Sequence, residues 1–432
     1  MRSRTIARAA FTLGLLVVPL SAPAGATSFT VDNTGDNAAV VGTLRWAVAQ
    51  ANADATAPTI DIAAGLVVDL TCGGGGPLDY NSAAGLTLTV NGNGATIRQT
   101  CPASAVLLAD DDVVLNRLVI TGGTDGAIVA QDDVTVDDVI VEGNSGRAAI
   151  EAFTGDVTVS RSTIRNNSGT IGGGVAAIHA TLERTTVSGN QASTGGGVWT
   201  DQTATLTNST VTGNTATGTG GGVLSTNSDI TLVHVTIVQN SAATGANVAM
   251  LTAGSLDSFA AAIGLPAGGG EDCSIAPGAA SASAGYNFTS DASCGLDTGP
   301  ADQAGASDPQ VLGLADTGGP NLTRVPAETS PLIDAVVCAP AVAVDQRGVT
   351  RPQRAACDIG AVEVPPPPPP VTTTTGGPVV TVGTTPATTA PTTETTGTPA
   401  TLPKTGTTTP WPAAVGLGAL VLGFGLLRVR RR

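Results

Sequence analysis

Asparagine returns at a fixed offset along the middle of this chain. Val141, Ile164, Val187, Val211 and Ile237 are each followed three residues later by Asn144, Asn167, Asn190, Asn214 and Asn240. From Asp111 to about Met250 the surrounding units recur roughly every 21 to 26 residues. Each carries a short alternating apolar run before its Asn (Val157 and Val159, Leu182, Leu206, Ile230 and Leu232) and a glycine cluster leading to a second apolar residue at Val175, Val198 and Val223. A period of this size is the mark of a solenoid. Period-2 runs of Val, Ile, Leu and Thr broken by Gly, Asn and Ser read as strand and turn, with no room for a helix.

The expected fold is therefore all-β, a right-handed parallel β-helix. Coils stacked ~4.8 Å apart let every strand pair with its copy above and below, and one coil cannot bury its own apolar face without neighbours. The Asn column is expected to hydrogen-bond along the stack, at a corner where Asn tolerates the left-handed conformation. The glycines serve the other corners, where positive φ or close backbone approach is needed.

Composition fits an exported chain of this kind: aromatics are 3% and charged residues 12%, with 56 glycines. Arg2, Arg4 and Arg8, an apolar run from Phe11 to Leu20 and Ala24-Gly25-Ala26 form a secretory signal over residues 1–26, cleaved after Ala26. Secretion favours disulfides, and proximity pairs Cys72 with Cys101, Cys273 with Cys294, and Cys338 with Cys357. Without the three arginines of the signal and the four after Leu427, 12 basic residues face 34 acidic ones. Such a surface repels nucleic acid and anionic membranes and can hold cations. No metal site of Cys/His type is visible.

Residues 27–270 are read as the β-helix with its N-terminal cap. After the strand Ser28 to Val31, Leu44, Ala47, Val48 and Ala51 fall at helical spacing with Thr43 as N-cap, a short helix suited to covering the first coil. The Thr43-Leu44-Arg45 segment ending in Ala51-Asn52 resembles the N-terminal motif of CSLREA-type bacterial surface proteins, without that motif's leading Cys. From Glu271 the repeat dissolves. The ordered series Cys273, Gly285-Tyr286-Asn287, Cys294-Gly295, Asp316 to Pro320, Ser330 to Ala335, Asp345 to Gly348 and Cys357 to Glu363 resembles the choice-of-anchor Q domain. That resemblance implies a C-terminal part of an exported β-helix over residues 271–364, held at the cell surface, and brings no reaction with it. Asp345 and Arg347 are expected to form a structural salt bridge closing the last coil.

Two columns carry what chemistry the repeat offers. Three residues before the aligned Leu115, Val136, Val159, Leu182, Leu206 and Leu232 stand Asp112, Asp133, Asp156, His179, Thr203 and Asp229. Stacked carboxylates about 5 Å apart can share calcium or raise one another's pKa for acid and base roles. The stronger expectation is that they are ordinary turn residues capping backbone N–H groups. Two residues after the aligned position stand Arg117, Asp138, Arg161, Arg184, Asn208 and His234, a solvated face with His234 exposed. Trp199 is placed either to stack on a sugar ring or to pack under a loop.

Six prolines from Pro365 to Pro370 end the fold, and the Pro/Thr-rich stretch over 365–401 has too little apolar surface to form a core. Extended at about 3.1 Å per residue it reaches on the order of 100 Å, enough for a wall-spanning linker. Residues 402–432 then give Leu402-Pro403-Lys404-Thr405-Gly406, an apolar transmembrane segment over 411–427 and a basic tail over 428–432. In parts and order this resembles the LPxTG cell-wall sorting signal of Gram-positive bacteria. The resemblance implies that a sortase cuts after Thr405 and joins it to peptidoglycan. Three functions follow for comparison: an adhesin binding a glycan or surface, a polysaccharide lyase or hydrolase using the Asp column, and a structural surface protein.

Overall fold

A computed structural model describes residues 27–367 apart from Ser307 and Pro340. The expected signal peptide, nearly all of the expected 365–401 linker and the whole of residues 402–432, with the expected transmembrane segment, lie outside the described residues. The chain forms a right-handed parallel β-solenoid of about 9 turns. A regular coil contributes three main strands, such as Val157–Ser160, Thr163–Arg165 and Val175–Ala177, repeated one coil on as Ala180–Glu183, Thr186–Ser188 and Val198–Thr200. Register is kept residue for residue, so Val159 pairs with Leu182, Leu182 with Leu206, and Leu206 with Leu232. Alternation sends these side chains into one continuous apolar interior with Ile164, Val187, Val211 and Ile237, all of them fully buried.

The corners decide how each coil turns. Between the first and second strands the column Arg117, Asp138, Arg161, Arg184, Asn208 and His234 takes φ between 46° and 56°. These residues are the left-handed bend itself, which explains polar residues there in place of β-branched ones. After the second strand the left-handed residue is not the repeating Asn, as expected, but the one before it: Gly143, Asn166, Gly189, Gly213 and Gln239, with φ of 55° to 66°. That bend turns the following Asn inward. Glycines of the third corner divide the labour: Gly195 and Gly220 have positive φ, whereas a Cβ on Gly196 or Gly221 would lie 2.4–2.6 Å from carbonyl oxygens of the next coil.

The ends are closed by different means. Helix α1 (Leu44–Ala53) is capped by Thr43, whose hydroxyl accepts from the Trp46 amide at 3.2 Å. It lays Leu44, Ala47, Val48 and Ala51 on the first coils. Cys72–Cys101 and Cys273–Cys294 each hold Cα atoms 4.8 Å apart, and Cys338–Cys357 closes a third loop. The coils do not stop at Glu271: Cys273–Ile275, Ala280–Gly285 and Phe288–Thr289 pair in parallel with the coil before. Only then does the chain leave the stack. Residues 308–364 run back along its flank as a strap, reaching Ser162. The Asp345–Arg347 pair forms at 2.7 Å, but inside this strap, against the middle of the solenoid and away from the last coil.

Candidate functional site

The Asp column lies at the turn entering the first strand of each coil, and its oxygens bond to the coil above. Asp112 accepts from the Asp133 amide at 3.1 Å, Asp133 from the Asp156 amide at 2.8 Å, and Asp229 from the Ser255 amide at 2.8 Å. His179 continues the habit, its Nδ1 lying 2.7 Å from the Thr203 hydroxyl. The structure thus brings Asp112, Asp133, Asp156 and His179 into one line, with each carboxylate that is bonded serving backbone. Among the described residues no group of three His, Cys, Asp or Glu side chains is placed to hold a metal ion.

The face beside this column is uncovered. Its outward positions pair in register as Thr135, Thr158, Thr181, Thr205 and Thr231, an unbroken hydroxyl ladder, with Thr158 and Thr181 exposed and the others half-buried. Hydroxyls repeating every ~4.8 Å can both donate and accept. The next outward column carries Asp137, Ser160 and Glu183, and Arg161 at the bend pairs with Asp137. In sequence these threonines stand out only as strand formers; the one-period spacing from Thr135 to Thr231 is the signal that marks the ladder. Trp199 points outward on the third face between Ala176 and Leu224, half-buried.

The asparagine ladder is interior. Each Nδ2 donates to the next Oδ1, Asn144 to Asn167 at 3.0 Å and then Asn167 to Asn190, Asn190 to Asn214 and Asn214 to Asn240 at 2.9 Å. Two further members continue it, Asn247 and finally the buried Asp272, which accepts at 2.9 Å. Sequence missed both because neither follows an aligned apolar residue by three. Burial raises the Asp272 carboxyl above the usual range, against hydrogen bonds from Ser290 and Asn247 that lower it.

His234 corrects an expectation: it is wholly buried, because the strap lies over its corner. Its ring meets Phe259 edge-on at 5.4 Å, and neither nitrogen has a well-aligned hydrogen-bond partner, although the Asp358 and Gly360 carbonyls face it. Burial, then the nearby Arg351 charge, pushes its pKa well below the ordinary value. A histidine depressed in this way adds no protonation cost to folding while it is neutral in both states. Below about pH 6.5 the unfolded chain takes up a proton that the folded chain refuses, so stability falls on acidification. Asp358, pushed up to about 6 by burial, acts in the opposite sense over the same range, so the effect must be isolated by substitution. His234→Asn suits the bend, since Asn208 holds the same corner. The variant's stability relative to the native chain is expected to rise by about 2 kcal/mol between pH 7.5 and pH 5, measured by urea titration at each pH. A difference independent of pH would mean that this ring does not titrate across folding.

Comparison with known proteins agrees with this architecture. The family model described as right handed beta helix region matches residues 81–249, and the LPXTG cell wall anchor motif matches residues 394–432. No curated protein matches the chain. Among solved structures, the crystal structure of pectate lyase Pel9A superposes with a TM-score of 0.45 at 15% identity, over 78% of this chain and 96% of that one. A likeness of that size says nothing about activity.

Proposed function

We propose that this cell-wall-anchored, right-handed β-helical surface protein of a Gram-positive bacterium is a non-catalytic adhesive rod that binds extended neutral glycan along its threonine face. The observation that carries the reading is the in-register ladder from Thr135 to Thr231 on an uncovered face. Beside it, Asp112 and Asp133 are already bonded to backbone of the next coil. The acidic surface argues against polyanionic partners. The anchor motif implies sortase processing and covalent attachment to peptidoglycan, and we take Thr405 as the attachment residue. The series from Cys273 to Glu363 supports reading the C-terminal part as a choice-of-anchor Q module.

Residues 27–367 are to be tested on a panel of polysaccharides, with and without calcium, for retention and for new reducing ends. Retention on a neutral glycan without new ends is expected, lost when Thr158, Thr181 and Thr205 are together changed to Glu and kept in Asp133→Ala, Asp156→Ala. Reducing ends that disappear in the double Asp variant would overturn the reading and make the Asp column an active site. Absence of both would leave a structural surface protein.

A further inference from the structure

We propose that the strap over residues 308–364 is a load-bearing junction: tension arriving from the wall side of the chain enters at Val364 and passes sideways into the middle coils. In a stack where each coil touches only its neighbours, a tether leaving directly from Thr289 would pull on the terminal coil and peel the rod one coil at a time. This chain instead returns along the flank. The hydroxyls of Thr186 and Thr210 bond to Gln346 at 2.7 and 2.6 Å, Arg351 donates to Asn208 at 3.0 Å, Gly360 N–H to the Ala260 carbonyl at 2.9 Å, and Ala361 N–H to the Thr236 hydroxyl at 3.0 Å. Thr186, Thr210 and Thr236 are all buried beneath it.

A tight cluster of bonds lies where the tether begins. Val364 is 4% exposed and Pro365 is exposed. Arg354 donates to both carbonyls, at 3.1 Å to Val364 and 2.7 Å to Pro365. The Val364 amide is held by Asp358 at 2.6 Å and the Glu363 amide by Asp345 at 3.0 Å, while Arg347 donates to the Glu363 carbonyl. The Glu363 carboxylate pairs with Arg351, both side chains being 1% exposed, and accepts from the Asp358 and Gln353 amides. Buried ion pairs are poor sources of net stability compared with apolar packing, yet breaking one is costly. Such a cluster resists partial undocking, and its bonds must break together. That behaviour suits a point where force enters.

The test is force spectroscopy on the mature chain, held between a Thr181→Cys handle on the uncovered face and a handle joined at Thr405. The native chain is expected to give one high-force rupture that frees the strap at once. Glu363→Leu should lower that force by about half. Arg354→Ala, whose side chain lies at the edge of the cluster, should lower it with the melting temperature nearly unchanged. Unchanged rupture force in Arg354→Ala, or first extensions in steps of a single coil with the strap still docked, would overturn the proposal.

Discussion

Asn190→Leu is expected to destabilise the solenoid by about 3–5 kcal/mol. The side chain is fully buried. Its Nδ2 donates to the Ile164 carbonyl and to Asn214 Oδ1, each at 2.9 Å. Its Oδ1 accepts from the Asn167 amide at 3.0 Å and from Asn167 Nδ2 at 2.9 Å. Leucine nearly keeps the volume but leaves the Asn167 amide and one Nδ2 hydrogen of Asn167 without an acceptor, and it removes one donor each from the Ile164 carbonyl and from Asn214 Oδ1, which the Asn190 amide still holds; each orphan costs about 1–3 kcal/mol before relaxation. The neighbours on either side suffer the loss as well, because the ladder links consecutive coils. Urea unfolding followed by circular dichroism measures it, with Thr181→Leu on the exposed face as control, which should change stability by less than about 0.5 kcal/mol. A cost for Asn190→Leu no larger than that control would mean that the ladder is a passenger of the stack.

In Glu363→Leu the strap is expected to come loose while the coils stay folded. Arg351 would be left buried without its carboxylate, and the Gln353 and Asp358 amides without an acceptor. Removing one member of a buried pair costs about 3–5 kcal/mol, and here the cost falls on docking of residues 308–364. Hydrogen exchange separates the two events. The Gly360 and Ala361 amides, bonded to Ala260 and Thr236, should exchange at least about a hundredfold faster, whereas the Asn167 and Asn190 amides of the inner ladder should not change. Equal acceleration in both places would show that strap and coils unfold as one unit.

Much of this architecture could be read directly because the solenoid repeats its own reasons. Val141 and its counterparts lie three residues before an Asn in five successive coils, and each coil meets the same neighbours, so periodicity in the chain becomes columns in space. The three cysteine pairs and the capping helix follow from the same local logic, since each joins residues close in sequence or answers an exposed coil end. Where the repeat faded, periodicity gave no register, and only the resemblance placed residues 271–364 in the β-helix. The coil from Cys273 to Thr289 has no aligned Asn, and its membership rests on backbone pairing that any sequence can make. Of the candidate site, the Asp column was legible as a line and backbone capping as one of its two readings, but the choice between them was not, because a carboxylate before a strand looks the same whether it faces a substrate or the amide above it.

His234 shows the limit most plainly. It takes the same polar corner as Arg184 and Asn208 in the preceding coils, and nothing local marks it as different. It is buried because residues more than a hundred positions later return to cover it. Sequence by itself determined the coil and its apolar interior, which arise from contacts between copies one period apart, and its wall-anchor motif, which is a local pattern. Only the tertiary structure decided which flank is covered, which threonines remain open and where the tether leaves the rod. Those depend on a non-repeating segment whose bonds to the coils reach across as many as 162 residues of chain and leave no periodic trace.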